Sequence, residues 1–130
     1  MEKRDDYYIP EEIAEWIGLK KSEYLSKLIM QVEPDDFGFE RYHEFNELIP
    51  GTIETPDKVL EGEEDGQKVR TYIRSYNQVE IFHQVVMGVV VTDKNTSSEV
   101  FVPILPFVTK KDDLVRLFSV GQVVSRPTLN

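Results

Sequence analysis

From Lys68 to Val108 the chain is written mostly in residues that favour strands, interrupted by two polar turns, while the residues before it are grouped at helical spacing. Strands gathered in one half and helices in the other argue for an α+β fold rather than an alternating α/β one. The β-rich half reads as follows. Lys68 to Tyr76 alternates in polarity and turns at Asn77-Gln78; Val79 to Thr92 is a long run with a bulge or bend at Gly88. A polar hairpin loop over 93–98 leads to a third strand, Glu99 to Val108. Pro103 and Pro106 lack N–H donors, which places that strand at an edge or interrupts it. Gln122-Val123-Val124 adds a last short strand, giving an antiparallel sheet of three to four strands.

The first half predicts helices. Pro10 suits a first helical position, Glu11 and Glu12 favour the positive end of the helix dipole, and Ile13, Trp16 and Ile17 share a face until Gly18 stops the helix. A second helix is expected from Ser22 to Gln31 and a third from Glu40 to Leu48, ended before Pro50-Gly51. Pro56 to Leu60 adds one turn, and Glu61 to Gly66 forms an acidic turn. The pair Ile13–Leu19 and Lys20–Leu25 has some of the spacing of a helix-turn-helix, but a helical hairpin packed on the sheet fits it better. Near the C-terminus Thr109 and Asp112 are spaced as a capping box for a short helix burying Leu114, Val115, Leu117 and Phe118. The length of 130 residues fits one domain, residues 1–130, with a helical half (1–66) and a sheet half (67–130).

Charge follows the same division. The chain has 24 Asp+Glu against 15 Lys+Arg, a net charge of −9. Residues 1–66 hold 19 of the acidic and seven of the basic side chains, so the second half is mildly basic. The acidic total disfavours gripping duplex DNA by bulk charge, and a DNA-binding regulator ranks last. With no Cys, a disulfide framework, a thiolate metal site and a Cys nucleophile are excluded. The longest apolar stretch, Val85 to Val91, is far short of the roughly 20 residues a membrane helix needs. No targeting segment is visible, so no membrane association and a cytoplasmic location are expected. Signatures for a nucleotide cradle, a nucleophile elbow, an EF-hand or a zinc helix are missing, and neither cofactor nor metal is expected.

Two features could carry chemistry. On the strand at Lys68, one face holds Lys68, Arg70, Tyr72, Arg74 and Tyr76. Cations interleaved with aromatic rings suit single-stranded nucleic acid, the guanidinium pairing with phosphate and the rings stacking on bases. His83, in phase with Val79, Ile81, Val85 and Met87, is a titratable ring among apolar neighbours and a candidate general acid or base. His43 reads as a surface residue, and Glu40, Glu44 and Glu47 as a solvated helix face.

Pro56-Asp57-Lys58-Val59-Leu60 follows an apolar helix and precedes the strand Val69 to Tyr76, the Val-rich run, and a strand ending at Phe107-Val108-Thr109. This layout resembles the small nucleases grouped with barnase, EndoU, colicins E5 and D, and RelE, particularly their phage-encoded branches, over residues 45 to 110. The resemblance implies helices packed on an antiparallel sheet whose open face holds RNA. It implies that Arg70, Tyr72 and Arg74 match the family's Arg- and Tyr-bearing strand, that His83 is the acid or base and that Thr109 matches a hydroxyl at the end of a later strand. With Lys68 and Tyr76 from the strand face, this assigns substrate binding to Lys68, Tyr72, Tyr76 and Thr109 and metal-free catalysis to Arg70, Arg74 and His83. That reading requires His83 to share a cleft with Arg70 or Arg74. The alternative is a non-enzymatic acidic interaction domain, a homo-oligomer or the partner of a basic protein. It draws on the acidic first half and on Val100 to Phe107, apolar at almost every position and therefore needing cover on both faces.

Overall fold

A computed structural model describes residues 10–92, 95–119 and 121–125. It is α+β. Helix α1 (Glu11–Gln31) is followed by a 3₁₀ helix (Phe39–Leu48), α2 (Ile49–Glu54), strands β1 (Lys58–Glu64), β2 (Gln67–Asn77), β3 (Ile81–Thr92) and β4 (Glu99–Thr109), then α3 (Asp112–Leu117) and β5 (Gln122–Ser125). The sheet is antiparallel, five strands in the order β4-β3-β2-β1-β5, rather than three to four. The added strand is β1, where the sequence suggested a helical turn and an acidic loop. Its turn is only Asp65-Gly66, both at positive φ (53° and 79°), the two-residue hairpin geometry that Asp-Gly favours.

The two expected N-terminal helices are one, which removes the helix-turn-helix and hairpin readings. Gly18 lies on the solvent side of α1 with nothing within 4 Å of the position a Cβ would take. It weakens the helix by about 1 kcal/mol relative to Ala but leaves its packing untouched. That packing comes from Trp16, Lys20, Tyr24 and Leu28, one stripe at helical spacing. Trp16 Nε1 donates to Asp65 at 2.8 Å, Tyr24 OH to Glu64 at 2.8 Å, and Lys20 Nζ sits 3.1 Å from Glu64. Burial and the bond to Glu64 push the Tyr24 phenol up. Helix α1 is therefore tied to the β1–β2 turn.

The segment after α1 folds as a ten-residue 3₁₀ helix because its apolar residues recur every third position: Phe39, Tyr42, Phe45 and Leu48. At three residues per turn Glu44 and Glu47 share a face and Glu40 does not, contrary to the α-helical expectation. Tyr42 meets Phe107 at 6.1 Å and Phe45 meets Phe82 at 5.2 Å, so this helix reaches both sides of the sheet. Pro50 does not end a helix; it begins α2, where a missing N–H has no consequence.

One sheet face is covered by α1 and α3. Leu60, Val69, Ile73, Val85, Met87 and Phe107 pack there with Tyr24, Leu28, Leu114 and Phe118. Leu117 was expected in this core but is 40% exposed. On the other face, α2 covers the end carrying Tyr76 and Phe82, which stack at 5.6 Å. Buried Thr52 donates to Gln84, whose Nε2 donates to the Phe45 carbonyl at 3.0 Å. Strand β4 is an edge, as its prolines suggested, and its register shifts at Gly88. The capping box does not form: Lys111 takes the N-cap position of α3 with no side-chain capping bond, and the Thr109 hydroxyl donates to Asp36.

Candidate nucleic-acid interface

Strand alternation and register decide what the sheet brings together. A two-residue turn pairs Glu64 with Gln67, and counting back places Glu63 opposite Lys68 and Glu61 opposite Arg70. On the far side of β2, Arg70 lies opposite Gly88 of β3. That glycine leaves space above β3, and the side chains of β2 and β4 meet across it. The Arg70 guanidinium donates from Nε to Glu61, from Nη2 to Glu99 at 3.1 Å, and from Nη1 to the Tyr72 hydroxyl at 3.2 Å. Lys68 Nζ donates to Glu99 at 2.9 Å and lies 3.8 Å from Glu61. Tyr72 and Phe101 pack edge to face, centroids 4.9 Å apart.

The electrostatics follow from these contacts. Burial acts to lower the Arg70 pKa, but its bonds to Tyr72, Glu61 and Glu99 outweigh that and raise it. The bond to Glu99 raises Lys68, and the bonds from Lys68 and Arg70 hold Glu99 below the usual carboxylate range. The result is a neutralised cluster of two cations and two carboxylates on a half of the sheet that α2 does not cover. Beside it, over the paired strands β1 and β5, lies an open groove of about 540 Å³ lined in part by Glu61 and Lys68.

The remaining candidates lie elsewhere. Arg74 and Tyr76 share the face of Arg70 but sit under α2. Arg74 Nη1 donates to the Gly51 carbonyl at 3.2 Å and to Thr55, with the guanidinium 5.0 Å from the Tyr76 ring. The Tyr76 hydroxyl is 2.8 Å from that of Thr52. Both residues hold α2 to the sheet.

His83 lies on the opposite face, since its partner in β2 is Ser75, not Arg74. Its Nδ1 is 2.7 Å from the Ser75 hydroxyl and its Nε2 2.9 Å from Asp112 at the start of α3. The cleft shared with Arg70 or Arg74 does not form. Thr109 is also on this face and fully buried; with Asp36, which accepts from the Lys110 N–H at 2.8 Å, it fastens the loop after α1 to the end of β4. His43 is exposed on the 3₁₀ helix.

From the sequence, Glu61 reads as part of a solvated carboxylate cluster with Glu63, Glu64 and Asp65, and Glu99 and Phe101 carry no site role. The Asp-Gly turn carried the signal for Glu61, because it alone sets the pairing with Arg70. Among the described residues no group of three or more His, Asp or Glu side chains is arranged to hold a metal ion. Among the described residues no helix is long and apolar enough to cross a membrane. Comparison with protein-family models, curated proteins and solved structures finds no match.

Proposed function

We propose that this chain binds and cleaves single-stranded RNA on the uncovered half of the sheet, using Glu61, Lys68, Arg70 and Tyr72, in keeping with its resemblance to the barnase group. The observation that carries the reading is the contact between the Glu61 carboxylate and the Arg70 guanidinium, 23% and 19% exposed, on the half of the sheet that α2 does not cover, next to Lys68 and an aromatic pair. A base beside a fixed cation is what ribose-assisted cleavage needs. Glu61 takes the proton of a 2′-hydroxyl, the 2′-oxygen attacks phosphorus, and Arg70 stabilises the added charge on the phosphoryl oxygens. The P–O5′ bond breaks to leave a 2′,3′-cyclic phosphate. The leaving oxygen takes its proton from solvent, because Lys68, whose ammonium form Glu99 stabilises, is a poor acid. His83, on the opposite face, has no part in this step.

A second reading is favoured by one observation: every cation of the cluster is already paired with Glu61 or Glu99. If phosphate cannot displace those carboxylates, the chain is an acidic interaction domain that meets a basic protein or another copy of itself.

Incubation of a fluorescent single-stranded RNA with the protein in excess chelator separates the two. Cleavage to cyclic-phosphate ends, lost in E61Q and R70A and kept in H83Q, supports the first. No binding or cleavage of RNA at low salt, with an oligomeric mass or capture of a basic protein, supports the second.

A further inference from the structure

We infer that the open groove over β1 and β5 is the base-recognition surface of this RNA site and that Gln122 makes it select adenine; this rests on the reading above. Glu61 and Lys68 belong both to the reacting cluster and to the groove wall, so a base held there places its own phosphate near Arg70. The groove is shallow and open, with Glu63, Lys68, Gln122 and Val124 exposed along it, so a base would lie against the sheet surface rather than inside the protein. Its floor is backbone. Gly121, at φ +97°, lies so close to β1 that a Cβ there would come within 2.0 Å of the Glu61 carbonyl oxygen. Any side chain at Gly121 would push β5 off β1 and destroy the groove.

Three side chains give the groove its selectivity. Gln122 is opposite Glu61 in register and lines the groove, with Val124 beyond it. A glutamine amide offers one donor and one acceptor side by side, which match N7 and the N6 amine of adenine. Glu63 also lines the groove and has no partner among the described residues. As an acceptor only, it takes the second hydrogen of that amine. Guanine and uracil place a carbonyl oxygen where adenine has its amine, and that oxygen would face the carboxylate of Glu63. Cytosine keeps the amine but lacks the second ring that carries N7. Val124 supplies an apolar wall for the ring.

The test titrates adenosine, guanosine, cytidine and uridine 3′-monophosphates into ¹⁵N-labelled protein and follows the Gln122 side-chain amide by NMR. Expected are binding of the adenosine nucleotide about 10-fold tighter than the other three, movement of the Gln122 amide signals, and collapse of the preference in Q122A. R70A weakens all four together, as loss of a phosphate contact does. No binding, equal affinities, or a preference that survives in Q122A overturns the assignment. RNA cleavage by the same preparation is scored separately. Adenine preference without cleavage removes the cleavage reading and keeps the groove, and cleavage without base preference does the reverse.

Discussion

Phe101 on β4 and Tyr72 on β2 meet edge to face, centroids 4.9 Å apart, although β3 runs between them. They can do so because β3 contributes Gly88 at that level. A Cβ on Gly88 would lie 2.8 Å from the Phe101 ring and 2.3 Å from the Val102 carbonyl oxygen. The bulge at Gly88 and the cluster around Arg70 are therefore one arrangement. The same gap lets Arg70 reach Glu99.

Gly88→Ala tests that link. The added methyl meets backbone that cannot rotate away, so the variant is expected to lose about 1–3 kcal/mol, as overpacked sites do. Urea unfolding reads the loss. The ring-current shifts of Tyr72 and Phe101 should also collapse toward unpaired values. An unchanged urea midpoint would sink the account.

Gly18→Ala should act in the opposite direction. The site is exposed, helical and empty around the Cβ position. Replacing glycine there is expected to stabilise by about 1 kcal/mol through helix propensity alone. A raised Tm with unchanged RNA binding is the expected result; a lowered one would mean that α1 is not continuous through residue 18.

Arg70 and Arg74 share one strand face yet should separate cleanly on substitution. Arg74→Ala removes bonds to α2 and is expected to cost about 1–3 kcal/mol of stability while leaving RNA binding in place. Arg70→Ala should abolish RNA binding and also cost stability, because Glu61, Glu99 and Tyr72 lose their shared partner. Paired unfolding and fluorescence-anisotropy measurements check both, and the reverse pattern would move the site under α2.

Acid sensitivity should map to the β1–β2 turn. The bond from Trp16, followed by the charge of Lys20, holds Asp65 below its ordinary value of 3.8. A carboxylate depressed in the folded state stabilises above its unfolded pKa, and that contribution is lost as pH falls through the lower, folded one. Asp65→Asn tolerates the same positive φ but cannot ionise. The gap in urea midpoint between the parent and D65N should be constant above about pH 5 and close as pH drops toward 2. A gap independent of pH would contradict the pairing.

Strand β4 is an eleven-residue edge, and Pro103 and Pro106 each remove a donor that a neighbouring strand could use. Pro103→Val combined with Pro106→Val should promote self-association, seen as a rise in mass by light scattering. A mass unchanged from the parent would leave the prolines without this protective role.

The sheet half was largely legible because alternation in β2, the Gly88 bulge, the prolines of β4 and the last short strand are local signals. Strand β1 was hidden by composition. Glu61, Gly62, Glu63 and Glu64 read as a solvated loop until the Asp65-Gly66 turn folds them back against Lys68 and Arg70. The helical half misled for two reasons. Gly18 has a propensity cost smaller than the packing of Trp16, Tyr24 and Leu28. The segment from Phe39 to Leu48 has an apolar period of three, which over ten residues is hard to tell from 3.6. Of the candidate site, strand phase correctly put Lys68, Arg70 and Tyr72 on one face with Arg74 and Tyr76. What phase within one strand could not supply was the register between strands, which sends His83 to the opposite face and brings Glu61 and Glu99 to Arg70.

The three-residue period has a consequence for how this chain can vary. At about 2.0 Å per residue, ten residues of 3₁₀ helix reach about 20 Å, where an α-helix of equal length reaches about 15 Å. The extra reach takes the helix from Phe107 on one face of the sheet to Phe82 on the other. Each residue also advances the helix by about 120°, so one inserted or deleted residue between Phe39 and Leu48 would turn Thr52 away from Gln84 and Tyr76. Length changes in this segment are therefore compatible with the fold only in steps of three, a reading frame imposed on the protein by helix geometry.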